Sequence, residues 1–188
     1  MIYFTSDLHF CHNKDFVWHA RGFNSIGEMN AAIIDRWNQT IQPEDVVYVL
    51  GDLMLSSVEE GMELFAQLNG HIHIIRGNHD TDTKVDRYVN LPNVETIEYA
   101  TVIKYGKALF YLSHYPTITA NYDDDKPWAK HTVNLFGHTH QEQPFYQGNP
   151  YMYNVGMDAH NCTPISIDKI IEDIRNEKMR LNEEDFNV

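Results

Sequence analysis

Ile72-His73-Ile74-Ile75 followed by Gly77-Asn78-His79-Asp80 is an apolar run that ends in a tight group of ligand-type residues. Alone, those four residues would mean little. The same arrangement recurs along the chain. Asp7-Leu8-His9 follows Ile2-Tyr3-Phe4, and Gly51-Asp52 follows Val46 to Leu50. Ser113-His114 follows Ala108 to Leu112, and Gly137-His138-Thr139-His140 follows Val133 to Phe136. Five strand ends therefore deliver carboxylate, imidazole and amide groups to one edge of a sheet. That is what a two-metal hydrolytic site requires.

The chain has 188 residues, which points to a single domain over 1–188 with a sizeable core and a polar tail from about residue 182. It is 43% hydrophobic and 22% charged, the balance of a soluble globular protein. Its formal net charge of −13 argues against duplex nucleic acid or an anionic membrane as partner. No apolar run has transmembrane length, and the chain starts directly on a strand with no signal-peptide pattern. Cys11 and Cys162 are too few for a disulfide framework, so a reduced, cytoplasmic protein is expected.

Taken in order, Met1 to Thr5 reads as a buried first strand. Ser25 and Glu28 have capping-box spacing and open a helix whose apolar face is Ile26, Met29, Ile33, Trp37 and Ile41. Val46 to Leu50 suits a strand buried on both faces. A second helix is expected from Val58 to Leu68, stopped by Asn69-Gly70. Strand, helix, strand, helix, strand is a parallel, doubly wound start. Thr81 to Val89 reads as a short polar helix. A β-rich half follows: Val94 to Tyr105, a hairpin at Gly106, then Lys107 to Leu112, Val133 to Phe136 and Tyr151 to Val155. An amphipathic helix with Ile167, Ile170, Ile171 and Ile174 ends the chain. Tyr115 to His131 is a long polar loop carrying Asp123-Asp124-Asp125 and Trp128, the latter a candidate to stack on a planar leaving group.

The five groups of ligand-type residues resemble the motifs of the calcineurin-like metallophosphoesterases. The resemblance implies a four-layer α/β/β/α sandwich and a binuclear centre. It places Asp7, His9 and His140 on a first metal, Asn78, His114 and His138 on a second, and Asp52 on both. His79 would stay off the metals, beside the leaving group. Two divalent ions, among Mn, Fe, Zn, Ni and Co, suit such ligands. The expected chemistry is in-line attack on a phosphate ester by hydroxide shared between the ions, with manganese as the test metal.

Some positions depart from the protein serine/threonine phosphatases of that superfamily. Leu55 stands where they carry a second Asp, and Ser56-Ser57 where they carry Arg-Gly. With no clamping Arg there, a phosphodiester is favoured over a monoester, and a small nucleotide ester is the first candidate substrate. A nuclease of short single strands, or a non-hydrolytic binding module like the retromer subunit of this fold, are the alternatives. Phe10 replaces the Gly of the usual Asp-x-His-Gly. The first motif and Asn154-Val155-Gly156-Met157-Asp158 resemble a small bacterial and phage subgroup. His12 and Arg21, on the first loop, are candidate substrate contacts, the blander readings being a hydrogen bonder behind the ligands and a surface residue. Asp80 and Arg76 read as structural, and His160 as able to approach the site through its loop.

Overall fold

The structure is a computed structural model that describes residues 1–119 and 131–185. Asp123-Asp124-Asp125 and Trp128 lie outside the described residues. Two sheets flanked by helices form a mixed α/β architecture, as the family resemblance implies. The first sheet has the order β4-β3-β2-β1-β9, with β1 (Ile2–Thr5), β2 (Val46–Val49), β3 (His71–Ile75), β4 (Val94–Glu98) and β9 (Ile165–Ser166). The second has the order β5-β6-β7-β8, with β5 (Ala100–Tyr105), β6 (Ala108–Ser113), β7 (Thr132–Phe136) and β8 (Met152–Asn154). The helices are α1 (Asp15–Trp18), α2 (Ile26–Thr40), α3 (Val58–Phe65), α4 (Asp82–Tyr88) and α5 (Ile167–Asp185).

The continuous apolar runs are explained by a period of two with both faces covered. Tyr3, Val47, Val49, Ile72 and Ile74 face one core, shared with Met29, Ile33 and Trp37 of α2 and Phe65 of α3. Phe4, Tyr48, Leu50 and Ile75 face the other, against Phe110, Leu112, Val133, Leu135 and Tyr153 of the second sheet. Ile167, Ile170 and Ile174 carry α5 into this second core. Each fully buried aliphatic or aromatic side chain contributes about 1.5–3 kcal/mol. The helix cap at Ser25 forms as expected, with Glu28 N donating to Ser25 Oγ at 3.1 Å. The Glu28 carboxylate reaches one residue further than a capping box, accepting from Asn24 N at 2.8 Å.

Two expectations need correction. The start is not doubly wound. The parallel strands step one way, β1 to β2 to β3 to β4. Right-handed crossovers in one direction put their helices on one face, which leaves the other face for the second sheet. The run Val94 to Tyr105 is two strands in different sheets, divided at Tyr99. Ile165–Ser166, too short for any periodicity to show, is a strand antiparallel to β1. Helix α5 runs as far as Asp185, with no Gly or Pro to interrupt it; residues 186–188 lie outside the described residues. Cys11 and Cys162 are free and buried, both within the core on the helix side. Among the described residues, no helix is long and apolar enough to cross a membrane.

Candidate metal centre

Beyond their last paired residues, β1 and β2 keep running side by side. Asp7 N donates to Gly51 O at 3.0 Å, His9 N to Asp52 O at 3.1 Å and Phe10 N to Leu53 O at 3.0 Å. Leu8, Phe10 and Leu53 are fully buried and anchor these loops, which explains an apolar Phe10 where the related motif often has Gly. The polar residues between them are thrown to the site side. The local cost is visible in the backbone. Asp7, His9, Asp52, His138 and His140 all have positive φ, between 50° and 68°. Such left-handed geometry is tolerated best by Asp, Asn and His, and it clusters at functional sites. Two glycines let the loops close up. A Cβ on Gly77 would collide with Asp52, and one on Gly137 with Ser6 and Asp7.

Two groups of side chains result, each with ligand atoms within 4.8 Å of one another: Asp7, His9 and His140, and Asp52, His114 and His138. Asn78 joins the second, its Oδ1 lying 3.0 Å from His114 Nε2. Asp52 faces both. Its Oδ2 lies 3.6 Å from His114 Nε2 and 3.9 Å from His9 Nε2. All seven side chains singled out as ligands are therefore brought together at the sheet edge.

The donor set suits divalent cations. His140 Nδ1 is 2.9 Å from Asp158 Oδ2 and His114 Nδ1 is 2.7 Å from Leu50 O, so both rings donate outward. Their Nε2 lone pairs then point inward. His9 Nε2 and His140 Nε2 approach to 3.1 Å, and the buried Asp7 Oδ1 has no hydrogen-bond partner among the described residues. Lone pairs that converge on a carboxylate oxygen are satisfied by a cation. Burial alone would raise the Asp7 carboxyl. The imidazoles of His9, His140 and His114 gathered around it outweigh that burial and hold Asp7 down at about 2. Burial pushes His9 and His138 below the ordinary imidazole range, which keeps both neutral for ligation.

The His79 ring lies 5.9 Å from that of His9 between centroids, and its Nε2 is 3.9 Å from Asp52 Oδ2. Its backbone N donates to Asp52 Oδ1 at 2.9 Å, and Lys84 Nζ donates to its carbonyl at 2.8 Å. Asp80 is structural, as expected: its carboxylate accepts from Asp52 N at 2.8 Å, Gly77 N at 2.9 Å and Tyr88 OH at 3.0 Å. Arg76 is tied to Asp82 at 2.7 Å and to Asp80 O at 2.9 Å.

Arg21 departs from both sequence readings, phosphate contact and surface residue. Its side chain is 2% exposed and forks onto Asp158, Nε to Oδ1 at 3.0 Å and Nη2 to Oδ2 at 2.8 Å. Nη2 also donates to Asp7 O at 2.8 Å. Burial works against its charge, but the hydrogen bonds and charge of Asp158 raise its pKa further. A guanidinium so engaged braces the loop bearing Asp7 and has no fork left for phosphate. His12 lies against His9, with ring centroids 5.2 Å apart. Burial, then the neighbouring His9 and His79, pull it down to about 4, so near neutral pH it offers a hydrogen bond and no charge. His160 turns away from the site, its Nε2 on Asn154 O at 2.8 Å.

Asp158 was singled out in sequence only as part of a subgroup-like run, with no role. It holds the Nδ1 side of His140 and the Arg21 fork at once. Asp158→Asn is expected to lower affinity at the first cluster about 10–100-fold, the usual effect of removing a carboxylate behind a ligating His. The second cluster, braced by Leu50 O, should change less. Mn²⁺ titration against a competing chelator measures both, and unchanged affinity at both would discount this role for Asp158.

Comparison with known proteins agrees with this architecture. A model of the calcineurin-like phosphoesterase superfamily domain matches residues 1–168. An uncharacterized protein of Methanocaldococcus jannaschii is 34% identical over 182 residues, which are 95% of this chain and 93% of that protein. The gene 66 protein of Mycobacterium phage D29 is 25% identical over 201 residues, 92% of this chain and 96% of its own. A solved structure of a protein of unknown function from Aquifex aeolicus superposes with a TM-score of 0.66 at 23% identity, covering 92% of this chain and 98% of that one. That last likeness speaks to the fold alone.

Proposed function

The chain belongs to the calcineurin-like phosphoesterase superfamily, and on that footing we propose that it hydrolyses a small phosphate ester, a diester in preference to a monoester, with two divalent ions. The observation that carries the reading is the position of Asp52 Oδ2, 3.6 Å from His114 Nε2 of one candidate group and 3.9 Å from His9 Nε2 of the other. Asp7, His9 and His140 would hold one ion, Asn78, His114 and His138 the other, and Asp52 both. When bound, such a pair supplies Lewis acidity at the phosphoryl oxygens and acidifies water.

The chain's own residues supply the rest. Asp158 and Leu50 O fix the tautomers of His140 and His114. His79 is placed to hydrogen-bond or protonate the leaving oxygen. The preference for a diester rests on the arginines near the clusters. Arg21 is committed to Asp158 and Arg76 to Asp82, so neither is spare to neutralise a second phosphate charge. The net charge of −13 weighs against long polyanions.

Turnover of bis(p-nitrophenyl) phosphate and of p-nitrophenyl phosphate with added Mn²⁺ tests this. The expected result is hydrolysis that a chelator abolishes, with the higher kcat/KM on the diester. No metal-dependent turnover of either would overturn the reading. A preference for the monoester would remove its finer part.

A further inference from the structure

We propose that the cleft between Tyr99 and Tyr115 is a subsite for a nucleobase, which would make the ester handled at the metal clusters that of a nucleotide; this rests on the phosphoesterase reading above. The cleft has a volume of about 450 Å³ and is walled by Arg76, Gly77, Asn78, Thr81 and Asp82 between the two tyrosines. That size is within the usual range of small-molecule sites, ~300–1,000 Å³. Asn78, which lines the cleft, has its Oδ1 3.0 Å from His114 Nε2, so the cleft borders the second candidate cluster.

Both tyrosines are exposed yet held. Tyr99 is 73% exposed, at the single residue where the chain passes from β4 to β5. Arg76 Nη1 donates to its hydroxyl at 2.6 Å, and the guanidinium carbon lies 4.7 Å from its ring centroid. Arg76 is itself fixed by Asp82 and by Asp80 O. Tyr115, 49% exposed, stands edge-on to His138 at 4.6 Å and to His114 at 5.1 Å between centroids. Exposed rings that are already immobilised lose little entropy when a partner stacks on them. A nucleobase suits the cleft better than a plain aryl group because the wall also carries polar acceptors. Asp82 is highly exposed and keeps one carboxylate oxygen outside its Arg76 contact. With the Thr81 hydroxyl, it can accept from ring N–H and exocyclic amine groups.

The test compares AMP with ribose 5-phosphate on the Mn²⁺-loaded protein. Both are measured as inhibitors of bis(p-nitrophenyl) phosphate hydrolysis and, with no turnover, by calorimetric titration. Base–aromatic stacking predicts that AMP binds about tenfold more tightly or better. Tyr99→Ala should remove most of that advantage, and Tyr99→Phe, which keeps the ring, should retain most of it. Equal affinity for the two ligands, or an advantage untouched by Tyr99→Ala, would overturn the subsite. A protein that does not hydrolyse the test ester yet prefers AMP by calorimetry would keep the subsite and sink the phosphoesterase reading. An active protein with no preference would do the reverse.

Discussion

Asp52→Asn is expected to weaken both metal positions and to slow turnover by on the order of 10³-fold or more. On the proposed two-ion reading, the size follows from losing a negative charge that would serve two dications, worth several kcal/mol, at tenfold for each ~1.4 kcal/mol. The contrast that makes it specific is Asp7. Asp7 Oδ2 accepts from His138 N at 2.8 Å, while Oδ1 lies 3.7 Å from His9 Nε2 and 3.9 Å from His140 Nε2. Its free oxygen thus serves the first cluster, and Asp7→Asn should cost mainly one ion. The amide in Asp52→Asn can still accept from His79 N through its oxygen, so the loop has a reason to stay folded, which a thermal melt checks. Metal content by elemental analysis after Mn²⁺ loading, with rates on the same samples, gives the answer. Two tightly held ions and ordinary turnover in Asp52→Asn would remove Asp52 from its shared position.

The seven ligand-type side chains were legible because each follows an apolar run, and a strand end is a local event. Apolar residues of β1, β2 and β3 alternate between two cores, so consecutive apolar residues such as those of Val46 to Leu50 announced a sheet covered on both sides. What stayed hidden is non-local or lies in the backbone. Tyr99 divides two sheets inside a run with no Gly or Pro, and nothing short-range marks it. The left-handed backbone at Asp7, His9, Asp52, His138 and His140 is imposed by the converging loops. Its one local trace is that Asp and His are among the residues that tolerate it. Arg21 and Asp158 are 137 residues apart, and their pairing has no spacing to read. A basic residue on a site loop looks like a phosphate contact until its partner is known. The direction of winding was missed for a similar reason: alternation of strand and helix does not say on which side the next strand is added.

His79→Ala should retain both ions and lose activity in proportion to how much help the leaving group needs. The structure gives a physical reason for separating the two. The His79 ring is 43% exposed, and its Nε2 is 3.9 Å from Asp52 Oδ2, beyond hydrogen-bond range. Its backbone, by contrast, is gripped by Asp52 Oδ1 and by Lys84, which also donates to Met54 O at 2.7 Å. The partner that orients this His is therefore main-chain anchoring and not a carboxylate on its ring, consistent with Leu55 at the position that the resemblance matches to the second Asp of the protein serine/threonine phosphatases. Truncating the ring leaves that anchoring in place, so metal binding should survive. An alkoxide is a strongly basic leaving group, and a positioned proton or hydrogen-bond donor is worth about 10²–10⁴-fold for it. A nitrophenolate needs far less. Under conditions where chemistry limits turnover, His79→Ala should thus fall much further on a ribose or alkyl ester than on a nitrophenyl ester. Loss of one ion would turn His79 into a ligand. Equal losses on both esters would assign it to holding the substrate, and the leaving-group role would go.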